Sequence, residues 1–382
     1  MADWITEAKW ISDEIINNRR YLHMHPEAGN REFETAGFIE KKLAEYGIRT
    51  KRLLDTAVIG YIDFDKKGPC AALRADMDAL PVTESTGYEF SSLNPKMMHA
   101  CGHDVHMSAV LGAARLLMNH KDELKGTLRL IFQPDEEGDG GAERLVELGV
   151  MDGVDAVFGA HVSPDLEVGS VGFRYGKFYA ASDVFHVTVK GRSSHGAEPE
   201  KGIDALYASA LMVERLHLLP EECLPDRAVL TVGRMEAGTA VNIVAGESSF
   251  SGIIRTLGRE NREHIKNRFK EIITTVATEM KVTAEIRIKE SYPGVVNSPE
   301  VTDLAEASAL RLLGQDRVFK LSSPTMTTED FGYYIEASKG TFYHIGAGPN
   351  AALHNAGFLP EETVPVNGAA IHAAIISDFL SQ

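Results

Sequence analysis

The sequence predicts an α/β protein into which a second, ferredoxin-like α+β domain is inserted. Short apolar runs alternate with helical patterns in the first half of the chain. The pattern becomes βαββαβ from about residue 183, and helix and strand signals of the first kind return after residue 294. The length of 382 residues is enough for two domains, each with its own core. We therefore expect a discontinuous domain, residues 1–182 and 295–382, and an inserted domain, residues 183–294.

The composition argues against several classes of protein. With 44% hydrophobic and 25% charged residues, the chain is typical of folded soluble proteins. A formal net charge of -16 opposes binding to nucleic-acid phosphates and to anionic lipid. Three scattered cysteines do not form the dense pattern of a secreted disulfide scaffold, and no apolar stretch approaches the roughly 20 residues that a membrane span needs. We expect a cytoplasmic protein without nucleic-acid or membrane partners.

In the first domain, side chains that can bind a metal stand where predicted strands end. They are Asp76 and Asp78 at the end of the apolar run 70–81, Glu136 and Glu137 after the strand 127–133, and His161 in the strand 156–162. Strand ends of an open α/β sheet collect ligands at one edge, so these groups are expected to meet. Either aspartate could instead orient an imidazole ligand from behind. His23 and His25, at a break between two amphipathic helical segments in 13–46, are interpreted as ordinary surface histidines.

The densest set of candidate ligands lies in residues 98–106, just before a helix predicted over 107–118. It comprises Cys101 with His99, His103 and His106. Thiolate, imidazole and carboxylate ligands suit zinc or another late first-row divalent metal. Of the adjacent glutamates, one suits a ligand and the other a general base, and spacing alone does not decide which. His354 or His344, near the end of the chain, could complete the site.

The inserted domain carries three candidates for substrate contact. They are His195 in a small polar loop, Asn242 after a glycine-containing turn, and Arg255 in a predicted strand, where a guanidinium could pair with a carboxylate. The predicted order is strand 184–190, helix 204–218, strands 228–235 and 249–257, helix 259–280 and strand 282–289. The remaining chain predicts a helix over 299–313, a helix from Thr327, a strand over 341–346 and a final helix to Leu380.

Two other chemistries compete with a metal site. Cys101 could act as a nucleophile with His103 or His161 as its base, although this leaves the carboxylates after residue 134 without a role. The two domains could also bind a ligand around a structural metal without chemistry. A carboxylate that is free to act as a base argues against that reading.

Several separated motifs together resemble the amidohydrolase family of hippurate hydrolases, bacterial aminoacylases and plant auxin-conjugate hydrolases. The matching motifs are RYLHMHPE (20–27), RADMDALP (74–81), HACGHD (99–104), QPDEE (133–137), GAH (159–161), SHG (194–196) and LHN (353–355). The resemblance covers essentially the whole chain. It implies a zinc-peptidase-like catalytic domain with an inserted lid that also dimerises. One departure is Thr327-Thr328 before Glu329-Asp330, where relatives more often have small residues, and it bears on the acyl preference.

The same resemblance implies the roles of the site residues. It implies a pair of divalent metal ions, Zn, Mn, Co or Ni, held by Cys101, His103, Glu137, His161 and His354. Glu136 is then the general base, Asp78 steers an imidazole ligand, His195 reaches the carbonyl oxygen from its own or a partner subunit, and Asn242 and Arg255 hold the substrate. The implied reaction is metal-dependent hydrolysis of the amide bond of N-acyl amino acids or similar conjugates, of the aminoacylase, hippurate hydrolase or N-acetyl-diaminopimelate deacetylase type. A small-dipeptide metallopeptidase is the alternative.

Overall fold

The computed structural model describes residues 2–64, 66–349 and 351–382. It divides into two compact units. The larger comprises Met1–Gly176, Asn297–Ser323 and Asp330–Gln382, and the smaller Lys177–Val296 and Pro324–Glu329. The smaller unit has other bounds than the inserted domain expected at residues 183–294, and that domain remains a prediction.

Helices and strands follow one another in the alternating manner of α/β proteins. The helices are α1 (Trp4–Trp10), α2 (Ser12–Met24), α3 (Phe33–Glu45), α4 (His103–Asn119), α5 (Ala142–Glu147), α6 (Ala205–His217), α7 (Arg259–Met280), α8 (Pro299–Leu313), α9 (Gly332–Ala337) and α10 (Val364–Leu380). The strands are β1 (Arg49–Leu53), β2 (Ala57–Asp63), β3 (Lys66–Asp76), β4 (Lys125–Gln133), β5 (Ala156–Ser163), β6 (Val171–Phe173), β7 (Gly176–Tyr179), β8 (Ala181–Lys190), β9 (Ser194–His195), β10 (Ala228–Ala237), β11 (Ile243–Val244), β12 (Glu247–Thr256), β13 (Thr283–Glu290), β14 (Val295–Asn297), β15 (Val318–Lys320) and β16 (Gly340–Gly346).

The larger unit is built on one sheet with the strand order β1-β2-β4-β3-β5-β16-β6-β15. Its central strands β4, β3, β5 and β16 run parallel to one another, so their carboxyl ends lie at one edge. Helices α4 and α10 pack against each other and against β3, and both are buried along nearly their whole length. Burial on all sides explains why β5 is a continuous apolar run rather than an alternating one.

The smaller unit has a four-stranded antiparallel sheet with the order β10-β12-β8-β13. Helices α6 and α7 pack on it around a separate apolar core that includes Phe185, Phe250 and Phe269. In chain order these elements read βαββαβ, which confirms the ferredoxin-like plan predicted for the second domain. Among the described residues, helices that could cross a membrane are absent, because none is both long and apolar enough.

Some local predictions were wrong or incomplete. The helix expected from Thr327 begins only at Gly332, because the Asp330 carboxylate is fully buried and bonds to another segment rather than to the start of its own helix. The edge strand β1, largely made of charged residues, gave no apolar pattern to detect. His23 is 1% exposed, so its interpretation as a surface histidine was also wrong.

Candidate metal centre

The candidate ligands of the larger unit gather where its central strands end. Asp76 closes β3, and Asp78 follows it. Glu136 and Glu137 lie three and four residues beyond the end of β4 at Gln133, and His161 lies in the last part of β5. Cys101 and His103 flank Gly102, which directly precedes α4. The sheet therefore brings together residues that are up to 253 positions apart in sequence, since Cys101 also contacts His354.

The thiol of Cys101 lies at the centre of this group. Its Sγ atom is 3.3 Å from His161 Nε2 and 3.2 Å from His354 Nε2. His354 Nε2 is in turn 3.0 Å from Glu137 Oε1. With metal–ligand bonds of about 2.0–2.3 Å, neighbouring ligand atoms of a tetrahedral site stand roughly 3.5 Å apart. The observed separations therefore match donors that share an ion.

The donors fall into overlapping groups whose ligand atoms lie within 4.8 Å of one another. Three of the groups are Cys101 with His103 and His161, Cys101 with Glu137 and His354, and His103 with Glu136 and Glu137, and a fourth joins Asp76 with His103 and His106. Each of the five residues that the resemblance implies as ligands belongs to at least one group. Cys101, His103 and Glu137 each belong to more than one group, so these donors would be able to hold two ions close together. His344 is not a member of any of these groups, although it pairs in register with His161.

The imidazoles are oriented as ligands. His103 Nδ1 donates to the backbone oxygen of Asp78 at 2.8 Å, which leaves the lone pair on Nε2. That Nε2 atom is buried and has no hydrogen-bond partner among the described residues. His161 Nδ1 likewise donates to the backbone oxygen of Val162 at 2.8 Å, and its Nε2 points at Cys101. Because a buried, unpartnered lone pair is costly, the residues fit a metal ion.

The carboxylates make the site strongly attractive to a cation. Burial raises the pKa of the Cys101 thiol well above its usual range, and Glu137 and Glu136 raise it further. Burial alone would lower the pKa of His103, but Asp76 and Asp78 raise it to about 10. Because both pKa values are raised, the Cys101 thiol and the His103 ring keep their protons when no metal ion is bound. A metal ion would displace those protons, so metal binding is expected to weaken as the pH falls.

His106 and His99 differ from these imidazoles, although His106 belongs to a group with Asp76 and His103. His106 Nδ1 donates to Asp76 Oδ1 at 2.7 Å, and its Nε2 accepts from the backbone N–H of Val162 at 2.9 Å. Both nitrogens are thus used to hold the end of β5. Neither nitrogen of His99 has a hydrogen-bond partner among the described residues, and burial lowers its pKa to about 4. His99 is therefore a neutral, packed side chain.

The backbone around the ligands adopts unusual conformations. Gly102 has φ 85°, and a Cβ atom there would lie 2.5 Å from Val162 Cγ2. His354 has φ 65° although it is not glycine, and its N–H donates to the Ala100 oxygen at 2.8 Å. Left-handed backbone in non-glycine residues costs on the order of 1 kcal/mol or more and is concentrated at functional sites. The loop of His354 is thereby held directly against the Cys101 loop.

Three predicted residues lie in the smaller unit. His195 is exposed on β9, and its Nδ1 accepts from the Ala197 N–H at 3.1 Å, which leaves any proton of the neutral ring on Nε2. Asn242 is exposed, and its backbone oxygen accepts from Gly196 at 2.8 Å. Arg255 is partly buried on β12, where burial lowers its pKa and its Nη1 atom has no hydrogen-bond partner within the part of the chain that the structure describes.

The sequence patterns did not reveal the buried guanidinium of Arg74, which pairs with carboxylates close to the site. Arg74 is 1% exposed and bonds to Asp76, Gln133 and Asp330. An arginine between Leu73 and Ala75, in the otherwise apolar run 70–75, was the available signal, because such a charge is buried only when it is paired. Which carboxylates pair with it could not be read from the strand.

Comparison with known proteins bears on the identity of this site. Residues 72–378 match the model of peptidase family M20/M25/M40. The N-acetyl-L-cysteine deacetylase of Bacillus subtilis is 36% identical, over 94% of this chain and 86% of that protein. The IAA-amino acid hydrolase ILR1-like 4 of Arabidopsis thaliana is 35% identical, over 96% of this chain and 86% of that protein.

A solved structure gives the same result for the fold. A dinuclear metal binding peptidase of the M20 family from Bacillus subtilis superimposes with a TM-score of 0.86 at 33% identity, over 97% of this chain and 99% of that one. These similarities confirm the family, the fold and the amide-bond hydrolysis that the motifs implied. The chain belongs to peptidase family M20/M25/M40, as a divalent-metal enzyme that hydrolyses amide bonds.

Proposed function

We propose that the protein hydrolyses the amide bond of N-acyl amino acids or related small conjugates, releasing a free amino acid and a carboxylic acid. The observation that carries the proposal is the pair of donor groups that share Cys101 beside a buried carboxylate, Glu136. Support for the substrate class comes from the relatives, which are named for N-acetyl-L-cysteine and for IAA-amino acid conjugates.

We assign the metal ligands to the five residues that the resemblance implied. Cys101, His103, Glu137, His161 and His354 hold two divalent ions, from among Zn, Mn, Co and Ni. When bound, such ions polarise the scissile carbonyl and lower the pKa of a water molecule. Asp78 orients this set, since its backbone oxygen accepts from His103 Nδ1 and its Oδ2 accepts from the Glu137 N–H at 3.0 Å.

Glu136 is the general base in this proposal. It takes the proton of the attacking water and delivers it to the leaving amine, which then departs as a neutral group. Its carboxylate lies within 4.8 Å of the ligand atoms of His103 and Glu137, and the residue is 6% exposed. Burial keeps bulk water from competing for the proton. Glu137, one position on, is the ligand because its oxygen lies against His354.

The smaller unit supplies the substrate contacts. His195 donates from Nε2 to the carbonyl oxygen as negative charge develops there. Arg255, with an unpartnered Nη1, binds the carboxylate of the amino acid, and Asn242 holds the substrate beside it. We further propose a cytoplasmic homodimer formed through the smaller unit, whose helix α6 exposes Leu206 (49%) and Tyr207 (55%).

Replacement of the base tests the central role. Glu136→Gln should bind as much metal as the wild type yet lose kcat by about 10²- to 10⁴-fold, because the amide cannot accept the proton. Glu143→Gln, an exposed glutamate in the following helix, is the matched control and should keep full activity. Hydrolysis of hippurate and N-acetyl amino acids with metal analysis is the measurement. A Glu136→Gln enzyme with wild-type turnover would refute the assignment.

A cysteine amidase is the alternative that one observation favours, namely the 3.3 Å separation of Cys101 Sγ and His161 Nε2. The raised pKa of Cys101 argues against it, because a nucleophilic thiol needs a lowered pKa. A chelator separates the two readings. Chelation should abolish hydrolysis and added divalent metal should restore it, whereas the activity of a cysteine nucleophile would survive metal removal.

Dipeptides in the same substrate panel test the peptidase alternative. If the metal-loaded protein hydrolyses none of the compounds, the result would favour a binding protein.

The dimer proposal has its own test. Inactive His195→Ala protein mixed with inactive Glu136→Gln protein should regain part of the activity if His195 acts in the partner's site. Absence of rescue under conditions where sedimentation shows subunit exchange would assign His195 to its own subunit.

A further inference from the structure

Asp330 is buried in the larger unit and accepts hydrogen bonds from several directions. Its Oδ2 atom accepts from the backbone N–H groups of Gly141 and Ala142, both at 3.1 Å, and from Gln133 Nε2 at 2.7 Å. Its Oδ1 atom accepts from Arg74 Nη2 at 2.8 Å. The residue is 0% exposed. Every one of these partners is a donor, so both oxygens need to be acceptors.

The partners of Oδ2 come from the two ends of one loop. Gln133 ends β4, and Gly141 and Ala142 stand where α5 begins. The loop between them, residues 134–141, carries Glu136 and Glu137. Its ends approach so closely that a Cβ atom on Gly141 would lie 2.1 Å from the Pro134 oxygen. One carboxylate oxygen thus closes the loop that presents the proposed base and one proposed ligand.

Arg74 links Asp330, which closes this loop, to Asp76 at the end of β3. Its Nη1 donates to Asp76 Oδ2 at 2.7 Å and its Nε to Gln133 Oε1 at 2.9 Å. Asp76 accepts in turn from His106, which binds the backbone beyond His161. The cation offsets two carboxylates that would otherwise be buried without a counter-ion.

We propose that Asp330 is a positioning residue, which fixes the geometry of loop 134–141 and thereby the place of the Glu136 carboxylate. This rests on the proposed role of Glu136. Although a carboxylate oxygen of Asp330 lies within 4.8 Å of one of Glu136, we assign Asp330 a positioning role and no part in proton transfer. A displacement of the base by about 1 Å is enough to lower turnover by as much as 100-fold, whereas binding of substrate by the smaller unit would be little affected.

The test variant is Asp330→Asn, measured as metal-loaded enzyme. In either orientation the amide NH₂ group faces a donor, either Arg74 Nη2 at the Oδ1 position or the three loop donors at the Oδ2 position, so the network that closes the loop loses at least one hydrogen bond. We expect kcat to fall between about 10- and 100-fold with KM within twofold. Amide hydrogen exchange in peptides covering 134–141 should become faster. Asp183→Asn is the matched control, since Asp183 is equally buried and paired with Arg262 in the smaller unit. It should leave both the kcat value and the loop exchange unchanged.

Gly141→Ala disturbs the same contact between the two ends of the loop, but it leaves the buried charge of Asp330 unchanged. Its added Cβ atom forces the loop ends apart, so it should reproduce the fall in kcat and the faster exchange. This variant answers the question even if Asp330→Asn does not fold. Wild-type kcat in either folded variant, or a fall in kcat with loop exchange unchanged, would overturn the proposal. Exchange is measured without substrate, so it tests the closure even if the wild-type enzyme hydrolyses none of the compounds and the proposed function fails.

Discussion

His23 provides a stability measurement with a defined sign. The ring is 1% exposed and lies between two carboxylates, with Nδ1 at 3.0 Å from Asp104 Oδ2 and Nε2 at 3.3 Å from Glu84 Oε1. Burial lowers its pKa, but Asp104 and Glu84 outweigh burial and raise the pKa to about 9. The imidazolium is therefore the form that links α2 to the start of α4.

The expected magnitude follows from linkage between protonation and folding. The pKa is raised from 6.5 in the unfolded chain to about 9 in the folded protein, so the stabilisation is complete below pH 6.5 and is lost as the pH rises through 9. For these two values, His23 contributes about 3 kcal/mol to the free energy of unfolding at pH 6.5, about 1 kcal/mol at pH 8 and close to nothing at pH 9.5.

The assay is urea unfolding of the metal-free enzyme at those three pH values, followed by tryptophan fluorescence. Both tryptophans of the chain, Trp4 and Trp10, lie in α1, so the signal reports on the larger unit. His23→Gln cannot carry the charge. The difference in the free energy of unfolding between wild type and variant should shrink by about 3 kcal/mol from pH 6.5 to 9.5.

His25→Gln controls for the general effect of replacing a histidine at this turn. His25 donates to the Tyr21 oxygen and forms no ion pair among the described residues, so this variant reports the loss of a histidine without the loss of an ion pair. A His23→Gln difference that stays constant within about 0.5 kcal/mol over the same pH range would refute the reasoning, because an ionised His23 could then not be the source.

Three further predictions follow from single positions. Gly102→Ala should weaken metal binding at least about tenfold in a metal titration, since its left-handed backbone and the contact with Val162 would move the adjacent ligands; an unchanged affinity would contradict this. Gly37→Ala, exposed within α3 with nothing near its new methyl group, should raise the free energy of unfolding by about 0.5–1 kcal/mol, and a decrease would argue against helix propensity as the controlling factor. His99→Leu should change that free energy by less than about 1 kcal/mol, because neither ring nitrogen has a partner to lose, and a loss of several kcal/mol would reveal a bond to a group outside the described residues.

Much of the fold could be predicted because its elements have strong local patterns. The long amphipathic helix α7 and the helix α8 begin and end where periodicity and flanking Pro and Gly predict. The buried strands β4 and β5 were predicted to within two residues, because continuous apolar runs end at polar residues. The charged edge strand β1 has no such pattern, since it buries only part of its side chains.

The candidate ligands could be recognised because thiols, imidazoles and carboxylates were concentrated at the predicted strand ends. Their number and order also allowed the family to be identified. The sequence did not reveal that Cys101 lies between His161 and His354, or that the lone pair of His103 is left without a partner. Such distances depend on the order of strands β4, β3, β5 and β16 in the sheet, which joins residues far apart in the chain.

Sequence alone thus determined the class of fold and the family, and it indicated the residue types of the candidate metal centre, because these depend on local pattern and composition. Only the tertiary structure decided which polar side chains hold the others in place. Asp330 looked like the first turn of its own helix, and His23 like a surface residue. Each is buried against a segment more than 80 residues away, where its charge is compensated by groups that no local pattern connects to it.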